Sequence, residues 1–358
     1  VGPQSAGADP GPACYGRGGA LATITDANLV LGRINPDYFL GGEVRLDRGL
    51  AEEAIRRAVA EPLGIGVVEA ALSIVAIADA RMTSALYFIS VEQGIDPRDY
   101  VLVPSGGAGP LHALSIARAL GVGRVLVPPT PGLNSALGML ASDLKHDMVR
   151  TYMKHQRAAD AGEISAIYGE MEEAIGRMLA AEHVAPADRS FLREIEMCYV
   201  GQSFHLKLPV PSELDGDGVG RLIAAFHERH AEAYGFASRT EPVRLVNLRL
   251  SGIGKVRRPV MRKLPDGEGG RQAIKGYRPV HFDDPRQPVP VPLYDRRLLG
   301  TGDRFDGPAI VEQMDTTIVI PAGASVLVTE AGSLLVATGA ENDANTGRNP
   351  ERSDNDAQ

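Results

Sequence analysis

The chain has 358 residues, two cysteines and a formal net charge of −8. Its length allows two or three domains with separate cores, and the acidic balance argues against a nucleic-acid platform, since the basic residues are scattered apart from Lys255-Val256-Arg257-Arg258 and Arg262-Lys263, a solvated face. Cys14 and Cys198 form neither a disulfide framework nor a Cys-x-x-Cys pair, no apolar run reads as a membrane span, and the N-terminus lacks a basic-then-apolar signal pattern, so the expected setting is the reducing cytoplasm.

Residues 1–20 are dense in glycine and proline and read as an ordered loop with special backbone angles. In the run Thr23-Ile24-Thr25-Asp26-Ala27-Asn28, Asp26 is positioned to be the N-cap of a following helix, with a carboxylate facing a ligand as its functional alternative. Residues 47–60 read as a short helix. Residues 67–93 read as a long, mostly buried one, apolar at Leu72, Val75, Ala78, Met82, Leu86 and Ile89 and stopped by Gly94. A strand at 100–103, a helix at 111–120, a strand at 124–128 and a helix at 133–142 make a β-α-β-α unit whose parallel strands are covered on both faces. After Asp143 the pattern gives a strand at 147–154, a helix at 163–183, a strand at 190–200 and a helix at 219–234; from Val243 onward helices vanish and short apolar runs are punctuated by Pro, Gly and Asp. The expected organisation is an α/β core over 1–155, an α/β connecting region over 156–240 with strands antiparallel by hairpin, a β-rich module over 241–338 and a polar, disordered tail over 339–358.

The most informative segment is Pro104-Ser105-Gly106-Gly107-Ala108-Gly109-Pro110-Leu111-His112, a glycine cluster between a strand and a helix. Without Cβ atoms the backbone can approach a ring or a phosphate closely, and the free amides of the helix start face an anion. The spacing is neither Gly-x-Gly-x-x-Gly nor a phosphate loop with Lys-Ser/Thr, so by spacing alone a tight turn in an α/β sheet is the simpler account. His112 falls in the first turn of the helix, where the dipole favours its neutral form and makes it a usable hydrogen-bond donor.

Other candidates carry less. Asp143, His146 and Asp147 are the densest His/carboxylate cluster, but strand geometry turns His146 and Asp147 to opposite faces. His227 and His230 share a helix face without the Glu of a zincin helix, Cys14 has no neighbouring histidine and reads as a small buried thiol, and Ser105 and Ser135 are turn residues outside any Gly-x-Ser-x-Gly elbow. Catalytic residues and metal ligands are not identified from these patterns.

Several long motifs in one order resemble the C-terminal half of the ATP-binding subunit of the hydantoinase A / 5-oxoprolinase family: residues 2–16, Thr25-Asp26-Ala27-Asn28-Leu29-Val30-Leu31-Gly32, Gly106 to His112, Pro131-Gly132-Leu133-Asn134-Ser135-Ala136-Leu137-Gly138, Tyr199-Val200-Gly201-Gln202-Ser203, Tyr294-Asp295-Arg296 and Gly307-Pro308-Ala309-Ile310-Val311-Glu312-Gln313. The resemblance covers about residues 1–335. It implies the second half of an actin/Hsp70/sugar-kinase-like (ribonuclease H-like) ATPase domain followed by a β-rich module. It also implies an ATP-dependent hydrolase that phosphorylates a cyclic-amide oxygen before ring opening, with ATP and Mg2+ as cofactors. The partners implied are a small cyclic amide or ketone and a hydantoinase B-type second subunit, with no nucleic acid and no membrane, in an oligomer. Related acetone and acetophenone carboxylases activate a ketone instead, and a non-catalytic partner-docking remnant is the third reading. The cofactor-binding residues implied are Gly106, Gly107, Ala108, Gly109, Pro110, His112, Asp26 and Asn28. The family's two Asp-x-Gly-Gly-Thr phosphate loops do not occur in the 358 residues. The chain is therefore expected to be a fragment that alone binds ATP weakly, hydrolyses nothing and self-associates through exposed apolar surface.

Overall fold

The computed structural model describes residues 4–259 and 263–339; Arg262 and the polar tail beyond 339 lie outside the described residues. Among the described residues, helices α1 (Ile24–Val30), α2 (Arg48–Ile55), α3 (Glu61–Leu63), α4 (Val67–Ile89), α5 (Gly109–Ala119), α6 (Asn134–Ala141), α7 (Ala161–Ala181) and α8 (Gly218–Tyr234) alternate with or precede twelve strands. The strands are β1 (Arg124–Val127), β2 (Leu144–His155), β3 (Arg189–Tyr199), β4 (Leu206–Pro209), β5 (Val243–Gly254), β6 (Ile274–Val280), β7 (Val289–Asp295), β8 (Arg304–Asp306), β9 (Ala309–Gln313), β10 (Thr316–Ile320), β11 (Ser325–Val328) and β12 (Leu334–Ala337). Two units form: one from residues up to 137 together with those from 260 onward, the other from residues 138–259.

In the unit of residues 138–259 one sheet runs β2-β5-β3-β4, antiparallel throughout. The consecutive strands β3 and β4 pair by the expected hairpin, whereas β5 lies between β2 and β3, so those pairings are made by return of the chain from a distance. Helix α7 presents Ile164, Tyr168, Met171, Ile175 and Leu179, spaced by three and four residues on one face, and all five are fully buried in the core this sheet helps to form. Burying each such side chain stabilises the unit by roughly 1.5–3 kcal/mol. Gly252 of β5 lets the helix come close, because a Cβ there would lie 2.2 Å from Ile175 Cγ2.

The other unit holds two sheets, β1-β12-β11-β8 and β10-β9-β7-β6. The expected parallel pair at 100–103 and 124–128 is reduced to one bridge, Leu102 to Val125. The neighbour on the other side of β1 is the late strand β12, antiparallel, with Val125 opposite Val336. Burial along β1 alternates, Val125 and Val127 being fully enclosed and Arg124 exposed, so it is a half-covered strand rather than one covered on both faces.

Helix α4 is also less enclosed than expected. Ala70, Ala71, Val75 and Ala78 pack inward, but Tyr87, Phe88 and Ile89 are 49%, 58% and 61% exposed. Contrary to the expectation that no apolar run has the span of a membrane, residues 67–93 are long and apolar enough by length and composition alone. Here the helix packs on α1 and α5 within a folded unit.

Candidate functional site

The glycine segment forms a turn between the extended run through Leu102 and helix α5. Leu102 is fixed by hydrogen bonds from its N–H to Arg124 O (3.1 Å) and from Leu126 N–H to its carbonyl (2.9 Å). Gly106 has φ +83°, a conformation L side chains rarely adopt, and its N–H donates to Pro131 O at 2.8 Å. Gly107 turns toward the β9–β10 connection: Thr316 Oγ1 donates to its carbonyl at 2.8 Å, and a Cβ would stand 3.0 Å from Asp315 O. Ala108 is the N-cap and provides no side-chain acceptor, while Pro110 has no N–H to satisfy. The first turn of α5 therefore begins without a capping side chain.

Beside this turn lies a cleft of about 510 Å3, lined among others by Asn28, Leu102, Ser105, Ala108, Gly109 and His112. Asn28 is fully buried; its Nδ2 donates to Ile24 O at 3.0 Å, and its Oδ1 has no hydrogen-bond partner. His112 is 4% exposed, and its Nδ1 is bonded to Asp79 Oδ1 at 2.6 Å. No bond to its Nε2 is found among the described residues. Sequence reasoning set His112 apart as a helix-start donor and passed over Asp79. The available signal was a single carboxylate in the apolar stretch Ala78-Asp79-Ala80 of α4, which needs a partner if it faces inward.

Of the implied cofactor residues, the cleft lining includes Asn28, Ala108, Gly109 and His112. Gly107 and Ala108 line a second compartment of about 250 Å3 with Tyr15, Tyr38, Phe39 and Gln313. Gly106 and Pro110 shape the turn. Asp26 stands in the first turn of α1 and reaches back to the loop before it. Its carboxylate accepts from Ala13 N (3.3 Å), Cys14 N (2.8 Å), Thr23 N (2.9 Å) and Thr23 Oγ1 (2.7 Å). The N-cap of α1 is Thr23, which forms a capping box with Asp26 three residues on, correcting the expectation that Asp26 itself caps the helix. With both carboxylate oxygens hydrogen-bonded, Asp26 organises the glycine-rich loop. Cys14 is buried there, its thiol pKa raised first by burial and then by Asp26, which leaves it a poor nucleophile.

The remaining candidates separate. Asp147 accepts from Ser251 and pairs with Lys145, His146 Nε2 meets Glu182 at 2.9 Å, and Asp143 accepts from Val256 N at 3.2 Å. His227 Nδ1 bonds Tyr199 Oη at 2.7 Å; His230 bonds Phe236 O at 2.7 Å and Gln202 Nε2 at 3.2 Å. Ser105 Oγ accepts from Asn134 Nδ2 at 2.9 Å. Among the described residues no group of three His, Cys, Asp or Glu side chains could hold a metal ion.

Comparison with known proteins finds relatives along most of the chain. Residues 1–148 match the hydantoinase/oxoprolinase family and residues 151–334 the hydantoinase/oxoprolinase C-terminal domain. The chain is 34% identical to the caprolactamase subunit alpha of Pseudomonas jessenii over 90% of its length and 47% of the relative, and 33% identical to the acetophenone carboxylase gamma subunit of Aromatoleum aromaticum over 90% and 45%. Its structure is similar to nucleotide-free acetone carboxylase, with a TM-score of 0.82 at 26% identity over 91% of this chain and 48% of that one. The chain thus spans about half the length of these relatives. The chain belongs to the hydantoinase/oxoprolinase family.

Proposed function

We propose that the chain forms the adenosine side of an ATP-dependent enzyme that activates a carbonyl oxygen by phosphorylation, with a cyclic amide as its substrate. The observation that carries this reading is the cleft beside the Gly106–Gly109 turn, which joins an uncapped helix start to a buried, unpaired acceptor on Asn28. An apolar cleft of this size accepts a nucleoside, and Ala108 and Gly109 let it approach the backbone. The fold is read as the second half of an actin/Hsp70/sugar-kinase-like domain, supported by the order of extended segment, glycine turn and helix.

Transfer of a phosphoryl group from ATP bound there to the amide oxygen, with release of ADP, would make the carbonyl carbon electrophilic enough for water to add; cleavage of the C–N bond would then open the ring and leave an acyl phosphate, which a second water would hydrolyse to the carboxylate and phosphate. The described residues do not provide a magnesium cage, and no step is assigned to that ion. A second subunit completing the reaction, in a cytoplasmic oligomer, fits relatives that are themselves named as subunits. The likeness to acetone carboxylase supports a second reading, in which the activated carbonyl is a ketone.

The test is calorimetric titration of ATP and ADP, with magnesium, into this chain and into an Ala108→Leu variant. Ala108 lies at the cleft with its side chain exposed, so the larger residue fills ligand space while leaving the fold in place. Binding weakened at least about tenfold by the substitution is expected. Equal affinities would move the nucleotide elsewhere. Turnover of a lactam but not a ketone, with the phosphate-binding half restored and partner subunits added, would separate the two substrate readings.

A further inference from the structure

We propose that the cavity bounded by helices α4 and α5 and the segment 282–285 is a second ligand site, one that takes a zwitterionic amino acid. The site stands apart from the glycine-turn cleft and does not depend on the nucleotide reading. The cavity has a volume of about 590 Å3. On its wall are Arg33, Arg118, Glu69 and Asp283, and among the described residues these four charges form no ion pair with one another or with any other group. Opposite charges that share a cavity ordinarily pair; here each guanidinium is held back by main-chain carbonyls. Arg33 donates from Nε to His281 O (3.4 Å) and from Nη2 to Phe282 O (3.2 Å), and Arg118 from Nε to Thr338 O (2.9 Å) and from Nη2 to Ala322 O (2.7 Å). Both forks are thereby fixed in orientation, with Nη1 left over on each.

Arg33 decides the chemistry. It is 9% exposed, and its Nη1 is not among the fully enclosed atoms that lack a partner, so these N–H groups open on the cavity that the residue lines. Burial lowers the pKa of the guanidinium, and Asp79 and then Asp283 oppose that shift, so both carboxylates are within its electrostatic reach. Asp79 is engaged by His112 at 2.6 Å, whereas the carboxylates of Asp283 and Glu69 accept no hydrogen bond from a described residue. A ligand with a carboxylate alone gains the arginine forks but meets two unpaired acids, and an amine alone meets the reverse. A molecule that carries both groups satisfies both signs, its carboxylate on Arg33 and its ammonium on Asp283 or Glu69. Leu72, Leu114 and Val319 offer apolar wall to the carbon chain between them. Opening a cyclic amide with water leaves a carboxylate and an amine on one skeleton, so the product of the proposed reaction falls in this class. That last identification rests on the proposed function; the site itself rests on the unpaired charges.

The experiment is ligand-observed NMR on the 358-residue chain with two zwitterions of long and short charge separation, 6-aminohexanoate and alanine, each against its single-charge analogues: hexanoate and hexylamine, propionate and ethylamine. At least one zwitterion is expected to bind more tightly than both of its analogues by about tenfold, the worth of one charge-assisted hydrogen bond. In a Glu69→Gln/Asp283→Asn double variant, which changes two exposed side chains only, that zwitterion should fall to the affinity of its carboxylate analogue, while the carboxylate analogue binds as well as before or better. Arg33→Gln should abolish binding of both; because Arg33 also ties main-chain carbonyls, its urea midpoint is measured alongside, and if the variant does not fold the double acid variant decides alone. Absence of binding by either zwitterion, binding no tighter than that of the analogues, or a preference unchanged in the double variant would each overturn the proposal. None of these results bears on the titration of ATP and ADP, so the nucleotide reading stands or falls separately.

Discussion

In the unit of residues 138–259, His230 is bonded through both ring nitrogens, to Phe236 O and Gln202, and its ring centroid lies 4.8–5.8 Å from those of Tyr199, Phe226, Tyr234 and Phe236. In the other unit His112 is as deeply buried but bonded through one nitrogen only. The same contrast holds more widely. Among the described residues the buried side-chain atoms without a hydrogen-bond partner are Asn28 Oδ1, Arg296 Nη1 and Gln313 Oε1, all three outside 138–259. Two of them line the compartments that meet at Ala108. An unpaired buried acceptor costs about 1–3 kcal/mol, so a fold retains one where something else supplies the donor. The sheet unit therefore reads as a closed, satisfied core, and the polar incompleteness of the molecule concentrates around the glycine turn.

The largest expected effect tests whether Asp26 belongs to the satisfied class. Its carboxylate accepts four hydrogen bonds that tie Ala13, Cys14 and Thr23 together. Asp26→Ala leaves buried amides without acceptors and removes half the capping box, and is expected to cost about 4 kcal/mol. Chemical denaturation followed by circular dichroism measures this, and Cys14 reports it locally: its thiol, unreactive in the native fold, should alkylate readily in the variant. Native stability and an inert thiol in Asp26→Ala would return the carboxylate to the ligand.

A smaller effect probes the satisfied core. Burial, followed by Arg239 and His230, lowers the pKa of His227 below its ordinary value. As the pH falls through the ordinary histidine range, near 6.5, the unfolded chain takes up a proton that folded His227 resists, so stability declines as pH decreases. Replacement by a non-titrating hydrogen-bonding residue, His227→Gln, should flatten the dependence of the urea midpoint between pH 7.5 and 5.5. An unchanged slope would assign the acid sensitivity to other groups.

Much of the fold was legible because it is local. The apolar spacing along α7, the glycines and prolines that bound α5, and the stop at Gly235 after α8 each act within a few residues. What escaped is long-range. Nothing near Val125 announces Val336 as its partner, and the alternation along β1 is too short to distinguish a half-covered strand from a fully covered one. For α4 the apolar stripe predicts cover, yet hydrophobicity alone does not say which residues of the chain provide it, and Tyr87, Phe88 and Ile89 remain open. The site divides in the same way. The glycine turn and His112 stand together in sequence, while Asp79 reaches His112 from 33 residues away. Asn28 was marked only by its place in a family motif, and its unpaired oxygen is a property of packing.

The smallest expected effect separates stability from function at that oxygen. Asn28→Leu is nearly isosteric, removes the unpaired acceptor and forfeits the single bond from Nδ2 to Ile24 O. Relief of the desolvation cost should outweigh that bond, so the ligand-free chain gains about 1 kcal/mol even as nucleoside affinity drops. The matching change in the other unit has the opposite sign. Glu196 accepts from Asn247 Nδ2 at 2.6 Å and from Arg249 Nη1 at 3.0 Å, so Glu196→Leu leaves both donors without their acceptor and destabilises. A stabilised Asn28→Leu beside a weakened Glu196→Leu would mean that the turn region trades stability for recognition. If both variants lose stability, Asn28 is held by packing in the same manner as the sheet unit, and the functional meaning of its unpaired oxygen disappears.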